Sequence, residues 1–273
     1  MAQTCYRHPN RETAVSCSNC GRPICPDCMT PSPVGMRCPE CSRQRTKVVR
    51  GVGEASLVAT APATLALIAI NVAVFFAEIG TGSGGFGTIT SSLIPEFGLF
   101  GPSVAGGEWY RLLTSAFLHA GLYHIIGNMV LLFFLGRILE PAIGTPRFAM
   151  VYFVSLFAGS FGALLLSPDS LSIGASGAVF GVLAATFVIA RGRGVDALAS
   201  TVGILILLNL AFSFGVRGIS VGAHLGGLIA GGLCALFILA GERGMLGERH
   251  TPMELLAMAA VGFFAIAAAI TVA

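Results

Sequence analysis

Polar residues inside apolar stretches are costly and therefore mark candidate functional sites, and two of them could do chemistry together. They are Ser176, in Ile173-Gly-Ala-Ser-Gly-Ala178, and His224, in Gly222-Ala-His-Leu-Gly-Gly227. A serine hydroxyl is a weak nucleophile until a neighbouring base takes its proton, and imidazole suits that task near neutral pH. The pair therefore reads as nucleophile and base for acyl transfer, a reaction that also needs donors for an oxyanion. His124 and Asn128 stand four residues apart and share one helix face. With the backbone N–H of Ser176 they make a candidate oxyanion hole. Taken singly, a glycine-flanked serine is compatible with helix packing, and a membrane histidine or asparagine with a bond to a neighbouring helix. No carboxylate completes a triad: Asp169 and Asp196 fall in loops, Glu140 lies near the inner end of its span, and Glu78 belongs to no motif. His224 is therefore expected to be oriented by packing alone, and Cys234 reads as core.

A second chemistry is concentrated at the N-terminus. Cys5-x-x-His8, Cys17-x-x-Cys20, Cys25-x-x-Cys28 and Cys38-x-x-Cys41 supply four ligand pairs, eight donors in all. Tetrahedral zinc takes four nitrogen or sulfur ligands and C-x-x-C hairpins bite it well, so eight donors suit two structural zinc ions. Seven cysteines cannot all pair as intramolecular disulfides. Every coordination position would be filled, so the metals are expected to hold the module together rather than catalyse, and no cofactor is expected for catalysis. The order of the pairs resembles a B-box-type zinc finger. That resemblance implies cross-bracing, with pairs one and three on one metal and pairs two and four on the other; sequential pairing is the alternative.

These residues need elements to position them, and composition says which. Of 273 residues, 55% are hydrophobic and 11% charged, with a mean hydropathy of +0.83. Soluble domains carry about 25% charged residues, so this chain is expected to be an all-α polytopic membrane protein with a small N-terminal zinc-binding module. Spans of about 20 residues fall near 62–79, 122–140, 147–166, 174–190, 196–215, 222–240 and 253–272. The expected domains are a cytoplasmic module at 1–45, a basic linker at 46–60 and a seven-span membrane domain at 61–273. No cleavable signal is visible in the opening residues. Zinc thiolates persist in reducing compartments, and Arg43, Arg45, Lys47 and Arg50 precede the first span. The N-terminus is therefore expected in the cytoplasm. Arg137, Arg147, Arg191, Arg193, Arg243 and Arg249 then fall on the inner side, against Arg111 and Arg217 outside, which leaves the C-terminus outside. Arginine-rich, alanine- and glycine-rich usage suggests a bacterial plasma membrane. The net charge of +3, scattered along the chain, argues against nucleic acid as a partner.

Residues 80–110 form one long outer connection whose Phe, Leu and Trp content is expected to dip it into the membrane. Small residues recur at four-residue spacing as Gly177 and Gly181, and as Ala223, Gly227 and Gly231, the pattern that lets helix backbones approach closely.

Glu108-Trp-Tyr-Arg-Leu-Leu-Thr114, Phe117-Leu-His119, His124-x-x-x-Asn128, Gly136-x-x-x-Glu140, Gly174-Ala-Ser176-Gly177 and Ala223-His224-x-Gly-Gly227 occur in this order. Over roughly residues 60–240 the series resembles the rhomboid intramembrane serine proteases. The resemblance implies a six-helix core plus a seventh helix, a Ser176–His224 dyad, and oxyanion assistance from His124 and Asn128. It implies structural roles for Trp109, Arg111, His119, Glu140, Gly174, Gly177 and Gly227. It implies cleavage of transmembrane protein substrates near the outer leaflet. Tyr110 separates the Trp and Arg that are often adjacent in the family. The alternatives are a catalytically inactive rhomboid-like client-binding factor and a small transporter. Besides substrates and the lipid bilayer, a cytoplasmic protein is a candidate partner of the zinc module.

Overall fold

The computed structural model describes residues 3–32, 35–43, 60–83, 90–216, 218–245 and 250–273. Most of the basic linker expected at 46–60, with Arg45, Lys47 and Arg50, lies outside the described residues, as do Arg217, Arg249 and most of Thr81–Thr88. The chain divides into two units, Met1–Arg50 and Gly51–Ala273.

In the first unit, strand Gln3–Cys5 pairs antiparallel with His8–Thr13, and Thr30–Ser32 pairs with Gly35–Arg37. Its interior is Ile24 and six cysteine side chains rather than a conventional apolar core.

The second unit is built on seven long apolar helices: α1 (Pro62–Thr81), α2 (Leu122–Ile143), α3 (Thr145–Leu166), α4 (Ser176–Gly192), α5 (Asp196–Gly215), α6 (Val221–Glu242) and α7 (His250–Val272). Six of them are long and apolar enough to cross a bilayer, so the chain is an integral multi-pass membrane protein. The seventh of the expected spans, α4, has only 17 residues, about 26 Å of helix against about 30 Å of hydrocarbon. At the C-terminal end of α4, Arg193 bonds to the Ala142 carbonyl at 3.1 Å and pairs with Glu242, so this end is level with α2 and α6. The shortfall therefore falls at the other end, and Ser176 begins its helix below the level where neighbouring 22-residue helices finish.

The core of the bundle is a sandwich of α3, α4 and α6 with very little side chain between the backbones. A Cβ on Gly227 or Gly231 would collide with the Gly177 and Gly181 backbones, and one on Gly162 with the Gly222 carbonyl. Close approach of this kind needs glycine.

Buried carboxylates tie the periphery to this core. Glu140 accepts from the Ala63 and Thr64 amides at 3.0 and 2.8 Å and from the Thr64 and Thr145 hydroxyls at 2.7 and 2.8 Å. It caps the orphan N–H groups at the start of α1 from a different helix. Glu254 of α7, fully buried, pairs with Arg147 of α3 at 2.6 Å. Residues 90–117 are more ordered than an outer loop. Short helical turns at Leu93–Phe97, Gly101–Ala105 and Arg111–Thr114 lead into a 3-10 turn at Ser115–Phe117.

Glu140→Ala takes the acceptor from two α1 amides and two hydroxyls, of which the Thr64 amide and hydroxyl are buried. It is expected to cost roughly 2 kcal/mol, read as a lowered unfolding midpoint in detergent, with Thr64→Ala costing less. Equal midpoints for Glu140→Ala and wild type would refute the cross-helix cap.

Candidate active site

The chain reaches Ser176 along a pinned track. Leu99 and Ser172 exchange both backbone hydrogen bonds at 2.9 Å, and the Gly174 amide donates to the Ser115 carbonyl at 2.9 Å. Gly174 has φ +120°, and the His124 imidazole lies against its Cα, so a side chain would be both strained and in collision. Two residues later Ser176 opens α4. The first N–H groups of that helix lack helical acceptors and form the positive end of its dipole. A negative charge developing beside Ser176 meets these donors.

His224 sits one turn into α6, whose start is capped by the Ser220 hydroxyl accepting from the Ala223 amide at 3.2 Å. His224 Nε2 lies 2.8 Å from Ser176 Oγ. The ring stacks on Phe180, with centroids 4.1 Å apart and planes 15° from parallel. Its other nitrogen, Nδ1, lies 2.6 Å from the hydroxyl oxygen of Ser213 on α5. The expectation that packing alone orients His224 is therefore corrected: a polar partner reaches it from a third helix.

His124 and Asn128 share one face of α2, as their spacing requires. The Ala120 amide points at His124 Nδ1 at 3.4 Å, which leaves Nε2 to carry the ring proton on the side of Gly174. The Asn128 amide donates to the His124 carbonyl at 2.9 Å, so it must turn away from its own helix to reach an oxyanion. His119 is fully buried, edge-on to His124 with ring centroids 5.0 Å apart. Its backbone amide is what holds it, donating at 3.1 Å to both carboxylate oxygens of Glu78. Glu78, assigned no role from sequence, thus fixes the entry to α2. Any fully buried polar group in α1 needed such a partner, which is the signal that could have found it.

The Trp-Tyr-Arg motif separates into two roles. Trp109 is 56% exposed, on the outside of the bundle. Arg111 is buried, donating to the Pro95 and Gly98 carbonyls at 2.8 and 2.7 Å and pairing with Glu108. It locks the connection that carries Leu99. Gly177 and Gly227 lie in the α4–α6 seam. Ser213 and Phe180 were missed. Ser213 is a polar residue inside a span, the same signal that singled out Ser176.

The eight N-terminal donors gather in two groups, Cys5–His8–Cys25–Cys28 and Cys17–Cys20–Cys38–Cys41, each with its donor atoms within 4.8 Å of one another. This is the cross-braced grouping, not the sequential one. Cys20 and Cys38 sulfurs stand 3.8 Å apart, and His8 Nδ1 is 3.3 Å from the Cys25 sulfur. Such spacings are far beyond a disulfide's roughly 2.0 Å. They match the edge of about 3.8 Å of a tetrahedron of thiolates around zinc at about 2.3 Å. Burial pushes the Cys5 thiol up, but backbone donors at Arg7, Cys25 and His8 outweigh it and bring it down to about 6. Burial and the neighbouring Cys5 and Cys25 thiols push Cys28 up to about 11. The donor set fits a metal ion in each group.

A model of the rhomboid domain family matches residues 106–241. The chain is 35% identical over 204 residues to Rhomboid protease GluP of Bacillus subtilis (strain 168), covering 73% of this chain and 39% of that protein. It is 34% identical over 153 residues to RHOMBOID-like protein 1 of Arabidopsis thaliana, covering 53% of this chain and 39% of that protein. It is 32% identical over 139 residues to Rhomboid-like protease 3 of Toxoplasma gondii, covering 48% and 52%. The chain thus spans about two-fifths of the length of the first two relatives. With that match laid over the helices that carry Ser176, His224, His124 and Asn128, the chain belongs to the rhomboid family.

Proposed function

We propose that this chain is an intramembrane serine endopeptidase that cleaves transmembrane segments of other membrane proteins. The observation that carries the reading is the 2.8 Å contact between Ser176 Oγ and His224 Nε2 at the recessed start of α4. His224 takes the hydroxyl proton as Oγ attacks the scissile carbonyl, and returns it to the leaving amine. The oxyanion is met by the N–H groups opening α4, by His124 Nε2–H and by the Asn128 amide once it turns. Water then hydrolyses the acyl-serine with His224 again as base. The inactive client-binding alternative has no use for a base held against a serine, and it is not favoured.

The orientation belongs to the same proposal. Arg147, Arg191, Arg193 and Arg243 cluster at the helix ends opposite Ser176, and a positive-inside bias puts that side in the cytoplasm. The N-terminus then lies in the cytoplasm and the C-terminus outside, in a bacterial plasma membrane, and cleavage occurs toward the outer leaflet. The chain is read as a zinc module at 1–45, a basic linker at 46–60 and a membrane protease domain at 61–273. The zinc module takes no part in the chemistry, and a cytoplasmic protein is its candidate partner.

Detergent-solubilised wild type is expected to react with a fluorophosphonate probe and to cut a model transmembrane substrate, whereas Ser176→Ala and His224→Ala do neither. Equal labelling of Ser176→Ala and wild type would sink the assignment. Asn128→Ala should lower kcat by about 10²-fold, in the range found for a lost oxyanion donor, with KM little changed. An unchanged kcat would remove Asn128 from the oxyanion hole.

Elemental analysis of the purified chain is expected to give about two zinc ions per molecule, one for each four-ligand set. Bound metal keeps the thiols ionised, so protons compete with it and zinc should leave on acidification, not at alkaline pH. Cys20→Ser should lower the content toward one. Metal-free protein with an intact fold at residues 1–45 would rule out the zinc module.

A further inference from the structure

Ser213 has no part in the motifs that place this chain in its family, yet among the described residues its side chain is the one that reaches the far nitrogen of His224. It is 2% exposed and lies near the end of α5, eleven positions before the histidine. Its oxygen is within hydrogen-bond distance of two groups, His224 Nδ1 at 2.6 Å and the Asn209 carbonyl at 2.6 Å.

The assignment follows from counting protons. A serine hydroxyl has one hydrogen to donate and lone pairs to accept with. A carbonyl can only accept, so the contact to Asn209 needs the serine proton, the usual back-bond of a helical serine to the residue four before it. The second contact then needs a proton from the other side, and only Nδ1–H can supply it. A neutral imidazole has one N–H. Its Nε2 is therefore the bare nitrogen, facing Ser176 Oγ at 2.8 Å and ready to accept. Phe180, stacked on the ring, sets its plane, while the contacts at Nδ1 and Nε2 set its rotation within that plane.

We propose that Ser213 is a positioning residue for the base. Its oxygen accepts Nδ1–H and holds His224 in the tautomer that can take the Ser176 proton. The inference rests on the protease reading above. It assigns to a neutral hydroxyl on α5 the orienting task that a carboxylate performs in a three-residue triad. The competing role is purely structural, with Ser213 doing no more than satisfying a helix carbonyl.

The test uses the full-length chain in detergent, as wild type, Ser213→Ala and Ser213→Thr, with nitrogen NMR on histidine-labelled protein and His224→Ala to identify the His224 signals. In wild type, His224 should show a protonated Nδ1 and a bare Nε2. In Ser213→Ala this pattern should give way to a mixture of tautomers. In parallel, Ser213→Ala should lower kcat and the rate of fluorophosphonate labelling by about tenfold or more, a modest part of the roughly 10⁴-fold effect of a wrong tautomer. KM should stay within about twofold, since the substrate contacts are untouched. Ser213→Thr, which keeps the hydroxyl, should recover most of the loss. A wild-type histidine protonated at Nε2 would overturn the proposal, as would Ser213→Ala with wild-type kcat and an unchanged nitrogen pattern. Should wild type carry the proton on Nδ1 yet neither label nor cleave, the protease reading falls and the hydrogen bond stands.

Discussion

The structure depends on the contact of two bare backbones. α4 and α6 meet through Gly177 against Gly227 and Gly181 against Gly231, with no Cβ between them. In lipid, helices gain little from apolar burial against one another, because the tails are as apolar as the side chains. Close van der Waals packing must do that work. Here it also fixes a distance: Ser176 and His224 each stand within one turn of this seam. A bulkier interface would separate their side chains beyond hydrogen-bond reach. α3 completes the arrangement from the other side, where Gly159 lies against Gly177 and Ala223, and Gly162 against Gly222. Small residues thus set the geometry of the Ser176–His224 pair without touching the hydroxyl or the ring.

A bilayer also forbids unpaired backbone groups, and the polar residues outside the dyad answer that constraint. Glu140 closes the start of α1, Glu78 takes the amide of His119, and Arg111 gathers two carbonyls of the 90–117 segment. Each of these links joins residues distant in sequence. Together they turn a connection that would otherwise be free to move into a scaffold for Leu99 and Ser115. Those two residues hold the strand-like approach to Ser176 through backbone bonds. The position of Ser176 is therefore set on one side by glycine packing and on the other by a chain of satisfied carbonyls and amides.

Much of this was legible in the residues. Hydropathy located the seven helices to within a few positions, and glycine spacing located the α4–α6 face. Matched depth paired Ser176 with His224 before any distance was available, because both open helices that run in the same direction. What escaped was long-range and polar. Glu140 is expected to be structural, but residue type does not say that its partner is the start of another helix, seventy-six positions away at Thr64. Glu78 appeared to have no role because its partner is a backbone amide, which leaves no mark on residue type. Ser213 was overlooked because serine is common in helices, where bonding to its own carbonyl four residues back normally accounts for it. The start of α4 was placed two residues early, since only the positive φ of Gly174 shows that the helix waits until Ser176.

A Ser–His pair completed by a hydroxyl rather than a carboxylate is consistent with where it lies. A carboxylate beside His224 would bring a full charge below the membrane surface, where desolvation costs several kcal/mol unless it is paired. Its attraction would also favour imidazolium at rest, and a base that already holds its proton cannot take another. The Ser213 oxygen orients Nδ1–H with a dipole and leaves the ring neutral. In the proposed reaction the charges appear only as the proton moves, imidazolium on His224 and oxyanion beside the start of α4, where fixed N–H groups already point. Such a site accepts weaker stabilisation of the imidazolium than an acid gives. In return it needs no buried ion when idle, and the membrane domain can keep its carboxylates, Glu78, Glu140 and Glu254, for holding helices together.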